Sequence, residues 1–493
     1  MQRRRLNRLA TWQLKNDGIS AKIKRNKTLI LVLMLVLSIS AACTVSTVAS
    51  ETPVLSKSET AVPQSPNSSI QSPLTITDPD LVATPAPLTA PAVGDTVADP
   101  VFGTTLRRLT DSGSSGFATH IYSQLQAFST DNQYILLIED EWYTVRRRDT
   151  LAQIPLDTSN WNAPRWHPTQ VHTLVHFDGN DDTTLRLQFT NVDTQQTSTV
   201  FTFPAPYERI RSNQSFDEIA RDGRYLAGMA SLSDGDQMLF TLNLETMSLG
   251  AQLRLSADLY GGPCAPDPDW GEVEPDWIGV SPLANYMVVQ WTCDGTERCS
   301  GLETFNINTG AFVGRVYDGH QHGDLGVMAD GVTEFFMTYE LYHPSGLLAL
   351  GYRTLPGNTT VQEPVYLRTL AWMGDHISCQ GPYGVCLITT IADTSNGWQA
   401  LEGELFLQYL DGSVERLAHH RSSGCGYWVQ PRGSLSRDGR YAIFATDWGS
   451  GICSGPVDLG AGDPYLIDLQ GGGSPPPEFT PSAWSYLPLV TSH

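Results

Sequence analysis

Basic residues are scarce: 31 Lys and Arg stand against 52 Asp and Glu, a net charge of −21. A surface of that sign repels phosphate backbones, which excludes a nucleic-acid partner. Residues 1–42 hide part of the imbalance, carrying nine basic side chains and only Asp17 as an acid. Beyond them 22 basic residues face 51 acidic ones, or −29. Cysteine pairs with C-x-x-C spacing are absent, which removes the commonest zinc arrangements. The chain also lacks a Gly-x-Ser-x-Gly elbow, a His-Glu-x-x-His pair and a phosphate-binding Gly-Lys-Ser/Thr loop. After the first forty residues no stretch longer than a couple of turns keeps a 3.6-residue apolar period. A helical fold is therefore excluded.

What remains is organised into four parts. Residues 1–43 hold a basic stretch ending at Lys27, an apolar run from Thr28 to Ile39, and Ser40-Ala41-Ala42-Cys43. A dozen apolar residues are too few to span a bilayer and read as an export signal. Residues 44–98 are rich in Ser, Thr and Pro without periodicity, and are expected to be a disordered linker. Residues 101–470 form the body, and 471–493 a Gly- and Pro-rich tail. Ala-Ala-Cys at 41–43 resembles the lipobox of bacterial lipoproteins. That resemblance implies acylation of Cys43 and a lipid anchor holding the body outside the cytoplasm, in the cell envelope.

Eight cysteines suit an oxidising compartment. Spacing suggests local bridges Cys293–Cys299 and Cys379–Cys386, with Cys425–Cys453 as a third and Cys264 left over.

The body repeats one phrase, a polar turn, a tyrosine or β-branched residue, then an apolar run. Its clearest instances are Ser129-Thr130-Asp131-Asn132-Gln133-Tyr134, Ala220-Arg221-Asp222-Gly223-Arg224-Tyr225 and Ser436-Arg437-Asp438-Gly439-Arg440-Tyr441. Other members begin at Trp166, Ser281, Met328 and Gly381, making seven. Alternating strands and hairpin turns such as Asn306-Ile307-Asn308-Thr309-Gly310 follow in most copies. The pattern predicts an all-β, seven-bladed β-propeller of four-stranded blades. The last repeat ends at its third strand, Tyr465–Leu469. Thr104–Thr110 is expected to supply the fourth and close the ring.

The Ser-x-Asp-Gly-Arg-Tyr turns and the Arg108-Leu109-Thr110 strand ending resemble the TolB-type propellers, in particular the branch containing oligogalacturonate lyases. In such a fold residues just ahead of the innermost strands converge on one rim. Four blades place histidines there: His120 before blade 1, His320 and His322 before blade 5, His376 before blade 6, and His419 and His420 before blade 7. Imidazoles with an amide or carboxylate partner suit a divalent transition metal. The resemblance implies manganese held by His322, His376 and His420 with Gln430 as an amide ligand. Asp324 or His120 would orient those ligands, and Arg421 and Arg432 would anchor an acid. A histidine in this position can equally hydrogen-bond the neighbouring blade. His172 and His176 are expected at the surface, and His167 and His343 in turns. Three functions stay open: a module binding a protein or acidic glycan at the channel mouth, a metal-dependent polysaccharide lyase, and an envelope scaffold.

Overall fold

A computed structural model describes residues 76–469, apart from 114–115, 180–182, 216, 261, 265–272, 342, 359–361, 371–373, 393–396, 425–428 and 452–461. The export signal, Cys43, Cys425, Cys453 and the tail lie outside the described residues. Among those described, no helix is long and apolar enough to cross a membrane.

The turn phrase has a plain physical basis. In blade 7 the Ser436 hydroxyl donates to Asp438 Oδ1 at 2.7 Å and accepts from the Tyr441 amide at 3.0 Å. Asp438 Oδ1 also accepts from the Arg440 amide at 3.1 Å, and Gly439 supplies a φ of 71°. Ser129, Asp131 and Tyr134 repeat the arrangement in blade 1. Short polar side chains thus satisfy the turn amides, and the chain reverses into the apolar strand that follows.

Those reversals generate seven antiparallel sheets. Their first strands are Ala118–His120, Trp161–Trp166, Tyr207–Ile210, Pro275–Val280, Gly323–Val327, Gly374–Ser378 and Ser434–Leu435, numbered here as blades 1 to 7. The second strands of blades 5, 6 and 7, Glu334–Glu340, Val385–Thr390 and Tyr441–Thr446, are buried along their whole length. A strand covered on both faces by neighbouring blades needs an unbroken apolar run rather than alternation. One cluster joins Leu136 and Val145 of blade 1 to Trp166 and Leu174 of blade 2 and Ile443 of blade 7. The fold is a seven-bladed β-propeller.

Closure runs as expected. Thr105–Arg108 pairs with Asp463–Asp468, from Thr105 opposite Asp468 to Arg108 opposite Tyr465. Two blades depart from four strands. Blade 1 has three, its fourth place held by an isolated Arg146–Gln153 bridge. Blade 7 has five, because Thr96–Ala98 adds outside Thr105–Arg108.

That fifth strand corrects the linker expectation, since residues 76–98 lie along blades 6 and 7. The Arg416 amide donates to the Ile76 carbonyl, and its guanidinium to those of Asp78 and Leu81. His419 Nε2 donates to the Ala83 carbonyl and Trp448 Nε1 to that of Leu88. The strap is held by side chains reaching its carbonyls, a bonding mode that leaves no apolar period to read.

The disulfides are corrected in part. Cys379–Cys386 forms as expected. Cys299, however, bonds Cys264 rather than Cys293. All three cysteines are buried in one cluster between blades 3 and 4. A helical turn, Leu255–Tyr260, inserts Leu255 and Leu259 there, and the Cys264 amide donates to the Leu259 carbonyl. This packing brings a cysteine 35 residues away to Cys299.

His172 and His176 are also better placed than expected. His176 is buried and stacks on Trp161 with centroids 4.7 Å apart. His172 bridges Asp131 at 2.7 Å and Asp193 at 2.6 Å, tying blade 1 to blade 2. Burial lowers its affinity for a proton, but Asp193 and Asp131 raise it more, so its pKa lies above 6.5. This stabilisation is fully present below pH 6.5 and is lost as pH rises through the raised value. Asp193 is half exposed, so screening keeps the contribution small. His172→Ala is expected to cost about 1 kcal/mol in urea unfolding at acid pH and nothing measurable well above neutrality.

Candidate metal centre at the channel mouth

The inner strands run in one direction, so their starts share one rim of the channel. His376 lies on the inner strand of blade 6 and His322 immediately precedes that of blade 5. Their rings stack with centroids 4.2 Å apart and planes 23° from parallel. His322 is exposed, whereas His376 is buried with Tyr122 edge-on at 5.2 Å.

Between them sits Asp375, which the sequence reading passed over. Neighbours on a regular strand point to opposite faces. Here the pairing runs Gly374 to Thr390 and then His376 to Thr389, which leaves Asp375 as an extra residue in a β-bulge. The bulge turns its carboxylate to the same side as the imidazoles. Ligand-capable atoms of His322, Asp375 and His376 all fall within 4.8 Å of one another. The acid directly before His376 was visible in the sequence, but the bulge was not.

Polar satisfaction around the trio is incomplete. His322 donates from Nδ1 to the Asp375 backbone carbonyl, which fixes its ring. Asp375 Oδ1 stands 2.9 Å from His376 Nδ1. Even so, Asp375 Oδ2 and both ring nitrogens of His376 are buried without a hydrogen bond. Burial drives the Asp375 carboxyl up, but His376, His322 and His420 together pull it below the ordinary carboxylate range. Two imidazoles and a carboxylate brought this close suit a divalent cation such as manganese.

Of the other expected ligands, His420 is engaged elsewhere. His420 faces the same region, yet its Nε2 donates to the Thr390 carbonyl at 2.7 Å and its Nδ1 accepts from the Ser422 amide at 2.9 Å. Gln430 is half-buried ahead of the inner strand of blade 7. His120 is buried and donates from Nε2 to the Arg432 carbonyl at 2.6 Å, closing blade 1 against blade 7. Burial, aided by the Arg432 charge, pushes its pKa down to about 3, so it is neutral.

His320 contacts Asp276 at 3.0 Å in blade 4, and His419 points to the strap. Arg421 pairs with Asp99 at 2.9 Å and lies over Trp448. Arg432 is buried and donates to Thr119 Oγ1 at 3.0 Å. Asp324 accepts from the Cys379 amide at 2.5 Å and from the Gln380 side chain, bracing the end of the strand that carries His376.

The fold and this trio define a seven-bladed propeller with a candidate two-imidazole, one-carboxylate centre at its mouth. No protein-family model and no curated protein matches the sequence. Among solved structures, an oligogalacturonate lyase in complex with manganese superposes at TM-score 0.52 with 14% identity, covering 76% of this chain and 96% of its own. An oligogalacturonate lyase from Vibrio parahaemolyticus gives TM-score 0.50 and 12% identity over 77% of this chain and 99% of its own. TolB from Acinetobacter baumannii gives 0.32 and 12%, over 61% and 63%. At these identities the likeness is one of fold.

Proposed function

We propose that this chain is an exported propeller, tethered to the membrane through Cys43, that binds a ligand at its channel mouth through a divalent cation held by His322 and His376. One observation carries the reading. His376 is buried at the rim with both ring nitrogens lacking hydrogen bonds, against a second imidazole and an ionised carboxylate. Burying such groups without a partner is costly, and a bound cation removes the cost. When bound, the ion supplies a positive centre for an oxygen ligand. The protein fixes the His322 ring through the Asp375 carbonyl and shields one side with Tyr122.

The fold is shared with an oligogalacturonate lyase in complex with manganese, which is consistent with a divalent metal in this propeller and leaves lyase chemistry as the second reading. Titration of the metal-free protein with Mn²⁺ is the test. The expected result is one bound ion, with affinity reduced more than about 100-fold in His376→Ala and in His322→Ala. Unchanged manganese binding in both variants would sink the proposal. Incubation with polygalacturonate, followed by ultraviolet absorbance of an unsaturated product, separates lyase from binding module. The tether is tested by whether Cys43→Ser moves the protein from membranes to the soluble fraction.

A further inference from the structure

We propose that Asp375 is itself a metal ligand, so that the centre is a two-histidine, one-carboxylate set open on the channel side. The inference rests on the metal-binding reading above and adds a third ligand to it. Three features of the structure converge on this residue.

The first is the bulge, which places side chains at 375 and 376 on one side although regular pleating would oppose them. The second is an unsatisfied atom. Asp375 is 5% exposed and its Oδ2 has no hydrogen-bond partner. Its Oδ1 approaches His376 Nδ1 at 2.9 Å, yet that nitrogen also lacks a hydrogen bond. A carboxylate serving only to orient His376 uses one oxygen for that role and leaves the buried second oxygen without a function. The third is a division of labour within one residue. The backbone carbonyl of Asp375 holds His322 Nδ1, and its carboxylate remains available beside both rings. A single bulged residue therefore fixes one imidazole and offers its own oxygen to the ion.

The consequence concerns charge. Two neutral imidazoles and one carboxylate leave a divalent ion with a single net positive charge, against two for a set of imidazoles and an amide. An octahedral ion with this set keeps about three positions for water or ligand oxygens, on the side facing the channel.

Manganese itself is the probe. Mn²⁺ binding to the purified chain is followed by electron paramagnetic resonance, and the exchangeable waters on the bound ion are counted by water-proton relaxation. In the natural protein about three waters are expected. Asp375→Asn should weaken binding more than about 100-fold, beyond the roughly 10- to 100-fold seen when an orienting partner is lost. Its urea midpoint in chelator should match that of the natural protein. About four waters on the natural protein, or Asp375→Asn binding within tenfold of it, overturns the assignment while the His322–His376 reading stands. No manganese binding by the natural protein removes both. Should Asp375→Asn fail to fold, the water count on the natural protein alone decides.

Discussion

As pH rises from about 4 towards 8, Asp217→Asn is expected to gain stability steadily relative to the natural protein. Asp217 lies between blades 3 and 4 and is 2% exposed. Its Oδ1 accepts from the Glu218 amide at 2.9 Å, while Oδ2 has no partner. That oxygen packs against Gly279, where any side chain would collide with it. Arg165 is close, but its guanidinium is occupied by the backbone carbonyls of Ser215, Asp217 and Ala163. Burial pushes the carboxyl up to about 8, and neighbouring Glu218 adds to the rise.

The unfolded chain releases this proton near 3.8, whereas the folded one keeps it to about 8. The folded state thus binds more protons across that window. Its stabilisation is complete below 3.8 and falls by up to about 1.4 kcal/mol per pH unit until the folded group ionises. Asparagine keeps the shape and cannot ionise. Asp217→Asn should exceed the natural protein by about 5 kcal/mol at pH 8 and match it under acid conditions, read from urea midpoints. Asp324, also raised well above the ordinary range by burial, leaves a residual slope. Parallel profiles for the two proteins would show that Asp217 is already ionised in the fold.

The second large effect belongs to Arg416. It is buried at 1% exposure and grips Glu404 with Nε to Oε2 at 2.8 Å and Nη2 to Oε1 at 2.5 Å. The remaining nitrogen holds the carbonyls of Asp78 and Leu81, and the guanidinium lies 5.3 Å from the Phe102 ring. Removing one partner of a buried pair strands the other charge, which typically costs 3–5 kcal/mol. Arg416→Ala is expected to lose about 4 kcal/mol and to expose residues 76–98 to protease at native pH. A double variant, Arg416→Met with Glu404→Gln, should recover most of the stability without protecting the strap. Loss below about 1 kcal/mol with an intact strap would mean that the pair and the strap are not coupled.

The two parts of the protein differ in how far they could be read in advance. The Ser-x-Asp-Gly turns announce themselves because the chemistry of each turn is complete within six residues. Ring closure was legible for a related reason, since a blade ending on its third strand requires a fourth. The strap was not legible, because Arg416, His419 and Trp448 hold its carbonyls while its own side chains show no pattern. At the mouth, position before an inner strand correctly indicated the rim for His322 and His376. It could not indicate direction. His420 and His120 start from similar places and spend their nitrogens on the Thr390 and Arg432 carbonyls. Asp375 was hidden by alternation, which a bulge of one residue reverses. The pairing of Cys264 with Cys299 depends on a helical turn between blades that spacing alone does not reveal.

The seam in blade 7 also sets an order of events during synthesis. Thr105 finds its partner in Asp468, so an early strand must wait for one of the last to be made. Until then the inner edge of Thr105–Arg108 and the outer edge of Tyr441–Thr446 stay unpaired, in a topology dominated by distant contacts that forms slowly. The ring can lock only after nearly the whole body has left the ribosome. A newborn chain therefore keeps two unpaired strand edges in blade 7 for as long as its final strand is missing.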